Sequence, residues 1–172
     1  STTSNGTGPS GDNTSGSGRY LYIEASGCYS KKATVLSPCI SVGTSLGHPR
    51  LFFYYHMLGS ASLGTLSLDI YDGTSWTNNV FSITGSQGNS WKLASIDLSS
   101  YSGKTIKLRF NGTTGTNYQT DIAIDDINIT DAVSLDENSL SNSISVYPNP
   151  NNGVFKIEVL DNSLKNVSVH IM

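Results

Sequence analysis

Few side chains in this sequence could do chemistry, and the acidic ones are the most patterned. Asp125 and Asp126 stand side by side inside Asp121-Ile-Ala-Ile-Asp-Asp-Ile-Asn-Ile-Thr130. Ile122, Ile124, Ile127 and Ile129 follow strand periodicity with a single interruption at the acidic doublet. The extra residue predicts a β-bulge, which re-aims side chains. A second reading is a strand buried on both faces, with one carboxylate turned inward to meet a cation or hydrogen-bond donors. The plainest is an exposed edge doublet, since carboxylates are mostly exposed. Asp12, the only charge before Arg19, sits in a Gly/Ser loop. Asp in such a loop is commonly a turn former. It also suits a hard cation, because flexible loops lend carbonyl oxygens beside it. Glu24, on an adjoining strand-like run, is a weaker partner. Asp12, Glu24, Asp125 and Asp126 are therefore the candidate ligands of a structural Ca²⁺. No H-E-x-x-H and no cluster of His and Cys points to zinc.

The remaining reactive groups read as structural. Gly43-Thr-Ser-Leu-Gly47 matches the G-x-S-x-G elbow, but a Pro-containing strand follows where the elbow needs a helix, so Ser45 is not expected to be a nucleophile. Gly6-Thr-Gly-Pro-Ser-Gly11 matches G-x-G-x-x-G without the strand before and helix after that aim N–H groups at a pyrophosphate. His56, inside an aromatic run, reads as a core or inter-sheet hydrogen-bonder. No catalytic residue is predicted. Cys28 and Cys39 are the only cysteines. One pair in this composition fits a disulfide formed in an oxidising compartment, against two buried free thiols.

Composition narrows the class further. The chain has 172 residues, a formal net charge of −3 and only 13% charged side chains, with Ser, Thr, Asn, Gly and Tyr filling the gap. That is the make-up of a secreted, strand-rich protein. The charge balance and the lack of a Lys/Arg cluster argue against nucleic acid. No apolar run approaches the ~20 residues of a transmembrane helix, and no signal peptide is present at Ser1.

The elements that must position these residues are strands. Residues 1–18 form a loop without apolar side chains other than Pro9. Arg19–Ala25 alternates, with Leu21, Ile23 and Ala25 on one face. Lys31–Ile40 is a second strand closed by Pro38, and as an antiparallel pair the two would bring Cys28 and Cys39 within disulfide reach. Arg50–Leu58 reads as a central strand buried on both faces. Strands follow at Gly64–Tyr71, Trp76–Ile83, Trp91–Leu98 and Thr105–Phe110, with Asp72-Gly73 as a tight turn. Ile106, Leu108 and Phe110 point inward. Such spacing without helical periodicity predicts an all-β antiparallel sandwich or jelly roll. Residues 132–143 have linker composition, and 144–172 begin a separate small β module.

Three blocks together resemble the MAM domain. Gly8-Pro-Ser-Gly-Asp-Asn-Thr14 through Gly18-Arg-Tyr-Leu-Tyr-Ile-Glu-Ala-Ser26 is similar to its opening, G-P-x-x-D-H-T…G-x-Y-L-Y-x-E. Phe53-Tyr-Tyr-His-Met57 with Gly64-Thr-Leu66 is similar to F-W-Y-H-M…G-T-L, and Gly115 through Ile127 to G-x-x-x-D-I-A-I-D-D-I. The resemblance covers about residues 5–130 and implies a MAM-type, concanavalin-like jelly roll over 1–131. It also implies extracellular adhesion or protein interaction without catalysis, often with homo-oligomerisation and with an ion beside the last strand. Asn13 stands where the family has His, and only seven residues precede the Gly-Pro loop. A missing first strand would leave an exposed sheet edge. Residues 144–172 resemble the start of the C-terminal sorting domain of Bacteroidetes type IX secretion, through Ser145-Val-Tyr-Pro-Asn-Pro-Asn-Asn-Gly-Val-Phe155, with Tyr147, Pro148, Asn149, Pro150 and Gly153 as its core. That implies a bacterial secreted or outer-surface protein, associated with the membrane without spanning it. The alternatives are a carbohydrate-binding jelly roll, whose Tyr and Trp rings would stack on sugars, or an accessory domain of a secreted metallopeptidase.

Overall fold

The computed structural model describes residues 4–60, 62–131, 144–147 and 156–159. It divides into two compact units, residues 1–132 and 133–172.

The first unit is built from apolar alternation. In β4 (Pro49–Met57) the side chains of Leu51, Phe53, Tyr55 and Met57 are buried on one face, while Arg50, Phe52 and Tyr54 are half-buried on the other. β1 (Leu21–Ile23), β9 (Ile122–Asp131), β4 and β7 (Gly88–Asp97) form one antiparallel sheet in the order β1-β9-β4-β7. The second sheet runs β2-β8-β5-β6, from β2 (Lys32–Leu36), β8 (Thr105–Thr113), β5 (Thr65–Tyr71) and β6 (Trp76–Thr84). A two-residue strand, β3 (Ile40–Ser41), also pairs with β8. The inner faces meet in one core, where Phe53 takes Phe81 and Phe110 edge-on at 5.3 and 5.1 Å. Leu66, Leu68, Ile70, Ile106, Leu108 and Phe110 are buried there, as their alternation predicts. The fold is thus the expected all-β, two-sheet sandwich.

Two expectations are corrected. The strand at 19–25 does not pair with the strand at 31–40. β1 joins β9 through Leu21↔Ile124, and β2 joins β8 through Leu36↔Arg109, so the two lie in different sheets. β2 and β3 run in succession along one edge of β8, broken at Ser37-Pro38-Cys39 because proline has no N–H for the ladder. This removes the geometry for a disulfide. Cys28 lies beside Thr114 at one end of β8, and Cys39 adjoins Ile40, which pairs with Ile106 at the other. At about 3.3 Å per strand residue the ends of that register are roughly 26 Å apart, against the ~7 Å limit for a bridge. Cys28 and Cys39 are free and exposed, not buried thiols either.

The bulge prediction matches the structure. The β4–β9 register slips between Phe52 and Tyr54, and Asp126 takes a left-handed conformation with φ 48°. Beyond β7, residues 4–18 cross the outer face of the first sheet. The loop is tied down by Tyr20 Oη to the Pro9 carbonyl (3.1 Å), Trp91 Nε1 to the Gly11 carbonyl (3.2 Å) and Thr7 Oγ1 to the Leu58 carbonyl (2.9 Å). At the opposite side of the sandwich, the outermost strands β1 and β2 leave an apolar cleft lined by Ile23, Val35, Phe110 and Ile122. Leu21 and Val35 in its lining are exposed, as is Leu36 further along β2.

In the second unit, β10 (Ile144–Tyr147) and β11 (Lys156–Val159) pair antiparallel, Ile144 opposite Val159. Of the sorting motif, Pro148, Asn149, Pro150 and Gly153 lie outside the described residues, as does the linker at 132–143.

Candidate functional site

The bulge brings Asp125 and Asp126 against the loop that carries Asp12, but it turns neither carboxylate inward. Asp126 is exposed and Asp125 half-buried. Their oxygens are met by donors. Asp125 Oδ2 accepts from the Asn13 N–H at 3.0 Å, and its Oδ1 accepts from the Asp126 N–H at 2.9 Å. Asp126 Oδ2 accepts from Thr14 Oγ1 at 2.6 Å and from Asn13 Nδ2 at 2.9 Å. The Thr14 and Asn13 hydrogen bonds hold the Asp126 carboxyl below its usual range, against desolvation and the like charge of Asp12. Asp12 folds onto its own loop, accepting from the Ser15 N–H, Ser15 Oγ and the Gly18 N–H. Backbone donors from Ser15 and Gly18 lower its pKa. The site is a loop clamp in which Asn13, in the position where the resemblance has His, supplies two of the donors.

Glu24 lies apart from this clamp, beside a carboxylate that the strand pattern passes over. Asp121 immediately precedes β9 and is fully buried. Its Oδ1 accepts from the Ala25 N–H at 2.8 Å, and its backbone N–H donates to Thr7 Oγ1 at 3.0 Å. Its Oδ2 is buried and meets no N–H or hydroxyl donor among the described residues, only the neighbouring Glu24 carboxyl. Burial first, then the negative charge of Glu24 and a hydrogen bond shared with its carboxyl, push the Asp121 carboxyl up to about 6 in spite of the Ala25 N–H. Glu24 Oε1 accepts from the Ser26 N–H at 3.0 Å and from Ser4 Oγ at 3.3 Å, and Ser4 and Ser26 share a hydroxyl contact of 2.8 Å. Two carboxyl groups and two hydroxyls thus gather where the N-terminal segment crosses the start of β9. Alternation, which registers isoleucines, gives no weight to an Asp just outside the strand. The signal available was a charged residue flanking an apolar run that has no room for it.

Two places differ in how well they suit a cation. At the Asp12–Asp125–Asp126 clamp, loop donors already engage the carboxylates, so the fit is poor. At Glu24 and Asp121 two carboxyl groups meet at a buried oxygen that no N–H or hydroxyl of the described residues serves, so the fit is better. Among the described residues no three His, Cys, Asp or Glu side chains converge to hold a metal. A cation at Glu24 and Asp121 would draw its other oxygens from hydroxyls and main chain.

His56 is buried, and burial lowers its pKa, so it stays neutral at pH 7. Its Nε2 lies 3.2 Å from Asn89 Oδ1, and its ring packs on Trp91. It supports the loop crossing rather than a reaction. Ser45 lies in a turn between β3 and β4 with no helix after it. No helix of the described residues is long and apolar enough to cross a membrane.

The profile of the MAM domain, meprin/A5/mu, matches residues 1–133. The chain is 37% identical over 132 residues to thyroid hormone-induced protein B of Xenopus laevis, covering 70% of this chain and 17% of that protein. It is 34% identical over 133 residues to neuropilin-1a of Danio rerio, covering 75% and 14%. It is 32% identical over 116 residues to MAM domain-containing glycosylphosphatidylinositol anchor protein 1 of Gallus gallus, covering 65% and 12%. The chain spans less than a fifth of the length of these relatives.

Proposed function

The chain belongs to the MAM family, and from that premise we propose that residues 1–131 are a non-catalytic adhesion or protein-interaction module of a secreted or cell-surface protein. The observation that carries this reading is the family match across the first unit. The name of one relative, a glycosylphosphatidylinositol anchor protein, supports a place at a cell surface. Beads coated with residues 1–132 should retain partners from a panel of cell-surface ectodomains, and heat-denatured coating should not. Equal retention by both would sink the reading. Self-association, the mode the family resemblance implies, is measured in parallel by sedimentation.

The second unit is read as the start of a bacterial sorting domain, on the strength of Tyr147-Pro-Asn-Pro150 and the β10–β11 pair. Deleting residues 144–172 from the native gene should stop delivery to the outer surface. Unchanged delivery would refute the assignment.

We propose a structural Ca²⁺ at Glu24 and Asp121. The ion would supply positive charge where the Asp121 and Glu24 carboxyl groups meet. Asp121 Oδ2, buried without a donor, supports this choice over the clamp. Bound there, it would tie the N-terminal segment to the start of the last strand.

A further inference from the structure

We infer that the uncovered part of the first sheet's outer face is a binding groove for a neutral, hydroxyl-rich glycan, which goes beyond the protein-adhesion reading and does not depend on it. The N-terminal loop covers this face around His56 and Trp91 but stops at Asp12–Thr14. Below that wall lies an open groove of about 510 Å³ lined by Phe52, Tyr54, Leu93, Asp126, Ile127 and Asn128. That is the size range of small-ligand clefts.

The groove is made by the bulge. Asp125 faces Tyr54 and Asn128 faces Phe52, which leaves Asp126 and Ile127 both opposite the single residue Phe53. Ile127 is 43% exposed and Leu93 52% exposed. A left-handed Asp126 and a solvent-facing isoleucine occur at the same two positions. Strain and apolar exposure maintained together mark a functional surface more than a packing accident.

The chemistry of the lining selects the ligand class. Phe52 and Tyr54 offer two aromatic side chains on adjacent outward positions, with Leu93 and Ile127 as apolar flanks, suited to the C–H face of a pyranose ring. Asn128 is exposed and has no side-chain hydrogen bond within the described residues, and Asp126 Oδ1 is likewise unengaged. These groups would take hydroxyls at the ring edge. The Asp126 carboxylate accepts hydrogen bonds only, so a ligand group meeting it must donate. Asp12 and Asp125 add negative charge at the rim, while Arg19 lines the adjoining cleft with Asp125, Asp126 and Ile127, so the local charges oppose one another and favour a neutral ligand over an anionic polymer. A strip six side chains wide is also far smaller than the ~800 Å² per partner of a stable protein interface.

The test uses residues 1–132 and the full chain, titrated with cellohexaose, xylohexaose, mannohexaose and chitohexaose, and with heparin and polygalacturonate as anionic counterparts. Binding is followed by amide chemical shifts and calorimetry. At least one neutral hexasaccharide should shift the amides of Phe52–Tyr54, Leu93 and Asp126–Asn128. Tyr54→Ala and Asn128→Ala should each weaken it about tenfold, with melting curves confirming that both variants fold. No shift with any neutral sugar at about 5 mM, far above the Kd of a useful site, overturns the inference. So do shifts that map elsewhere, affinity unchanged by Tyr54→Ala and Asn128→Ala, or anionic polymers binding the same residues as well.

Discussion

Asp121 sets the chemistry of this molecule at the scale of single residues. Its folded pKa of about 6 lies above the ordinary 3.8. The folded state therefore takes up a proton, as pH falls from 7 towards 4, that the unfolded chain does not yet bind. Stability from this group rises over that window and is missing at neutral pH, by about 3 kcal/mol from the size of the shift. Chelator-treated protein should thus melt higher at pH 5 than Asp121's ionised form allows at pH 7. Asp121→Asn should remove that difference and raise the melting temperature at pH 7, because its Nδ2 can donate towards Glu24. Ca²⁺ should stabilise the wild type at pH 7, by about 2.7 kcal/mol at a hundred times its dissociation constant. It should do little at pH 5 or in Asp121→Asn. Stabilisation by Ca²⁺ that persists in Asp121→Asn but vanishes in Asp126→Asn would return the ion to the bulge clamp. The cysteines give a second residue-scale prediction. Both Cys28 and Cys39 should be alkylated in unreduced native protein, and reductant should leave the melting curve unmoved.

At the scale of elements, the second sheet is held across its outer face by a buried carboxylate that is well served. Asp69, 4% exposed, accepts from Arg109 Nε at 2.8 Å, Asn111 Nδ2 at 2.8 Å and the Asn79 N–H at 2.8 Å. Arg109 also stacks on Trp76 at 4.0 Å and reaches Asn78. Burial pushes the Asp69 pKa up, yet the Asn79, Arg109 and Asn111 hydrogen bonds outweigh it and the net shift is downward. Its contribution is present above the unfolded pKa and is lost in strong acid. Asp69→Ala leaves the Asn111 Nδ2 and Asn79 N–H donors without an acceptor and takes a carboxylate from the half-buried Arg109, and should cost about 3 kcal/mol in urea unfolding. Lys104→Ala, which breaks the exposed pair with Asp72 and a 5.8 Å contact over the Tyr101 ring, should move the midpoint far less. Gly64→Ala should destabilise by roughly 1–3 kcal/mol, since a Cβ there meets the Thr113 backbone, which cannot move aside. Most of these elements were legible in the sequence. Alternation in Leu66-Ser-Leu-Asp-Ile70 and Ile106-Lys-Leu-Arg-Phe110 names the buried faces, and the uneven isoleucine spacing names the bulge. Strand partners were not legible. β1 and β2 are neighbours in sequence, yet each pairs with a strand about eighty to a hundred residues away, and nothing local encodes such a choice. The inward carboxylate was expected at the bulge and sits instead at Asp121, because a left-handed Asp126 turns the doublet out to the loop.

At the scale of the whole molecule, the first unit carries its own core among the described residues, running from Val42 to Ile124. Asp131 caps the turn before β4 by accepting from the Gly47 and His48 N–H groups. Its weak side is the β1–β2 edge, where exposed Leu21, Val35 and Leu36 flank unpaired strand backbone. Lys31 and Lys32 are the charges nearest that edge on β2, so Val35→Lys should lower concentration-dependent light scattering without lowering the melting temperature. The second unit carries a short β10–β11 pair, and a two-stranded ribbon is marginal in water on its own. A chain ending at Ala132 should therefore melt within about 3 °C of the full chain, a difference that corresponds to less than roughly 1 kcal/mol at this size. It should also show one cooperative transition with the calorimetric enthalpy expected for about 130 residues. A drop well beyond that range would mean that residues after Ala132 contribute to the stability of the sandwich, and a deletion that disturbs surface delivery could then no longer be read as loss of an address alone. An unchanged transition, combined with lost delivery, separates the fold of the first unit from the export role assigned to the second.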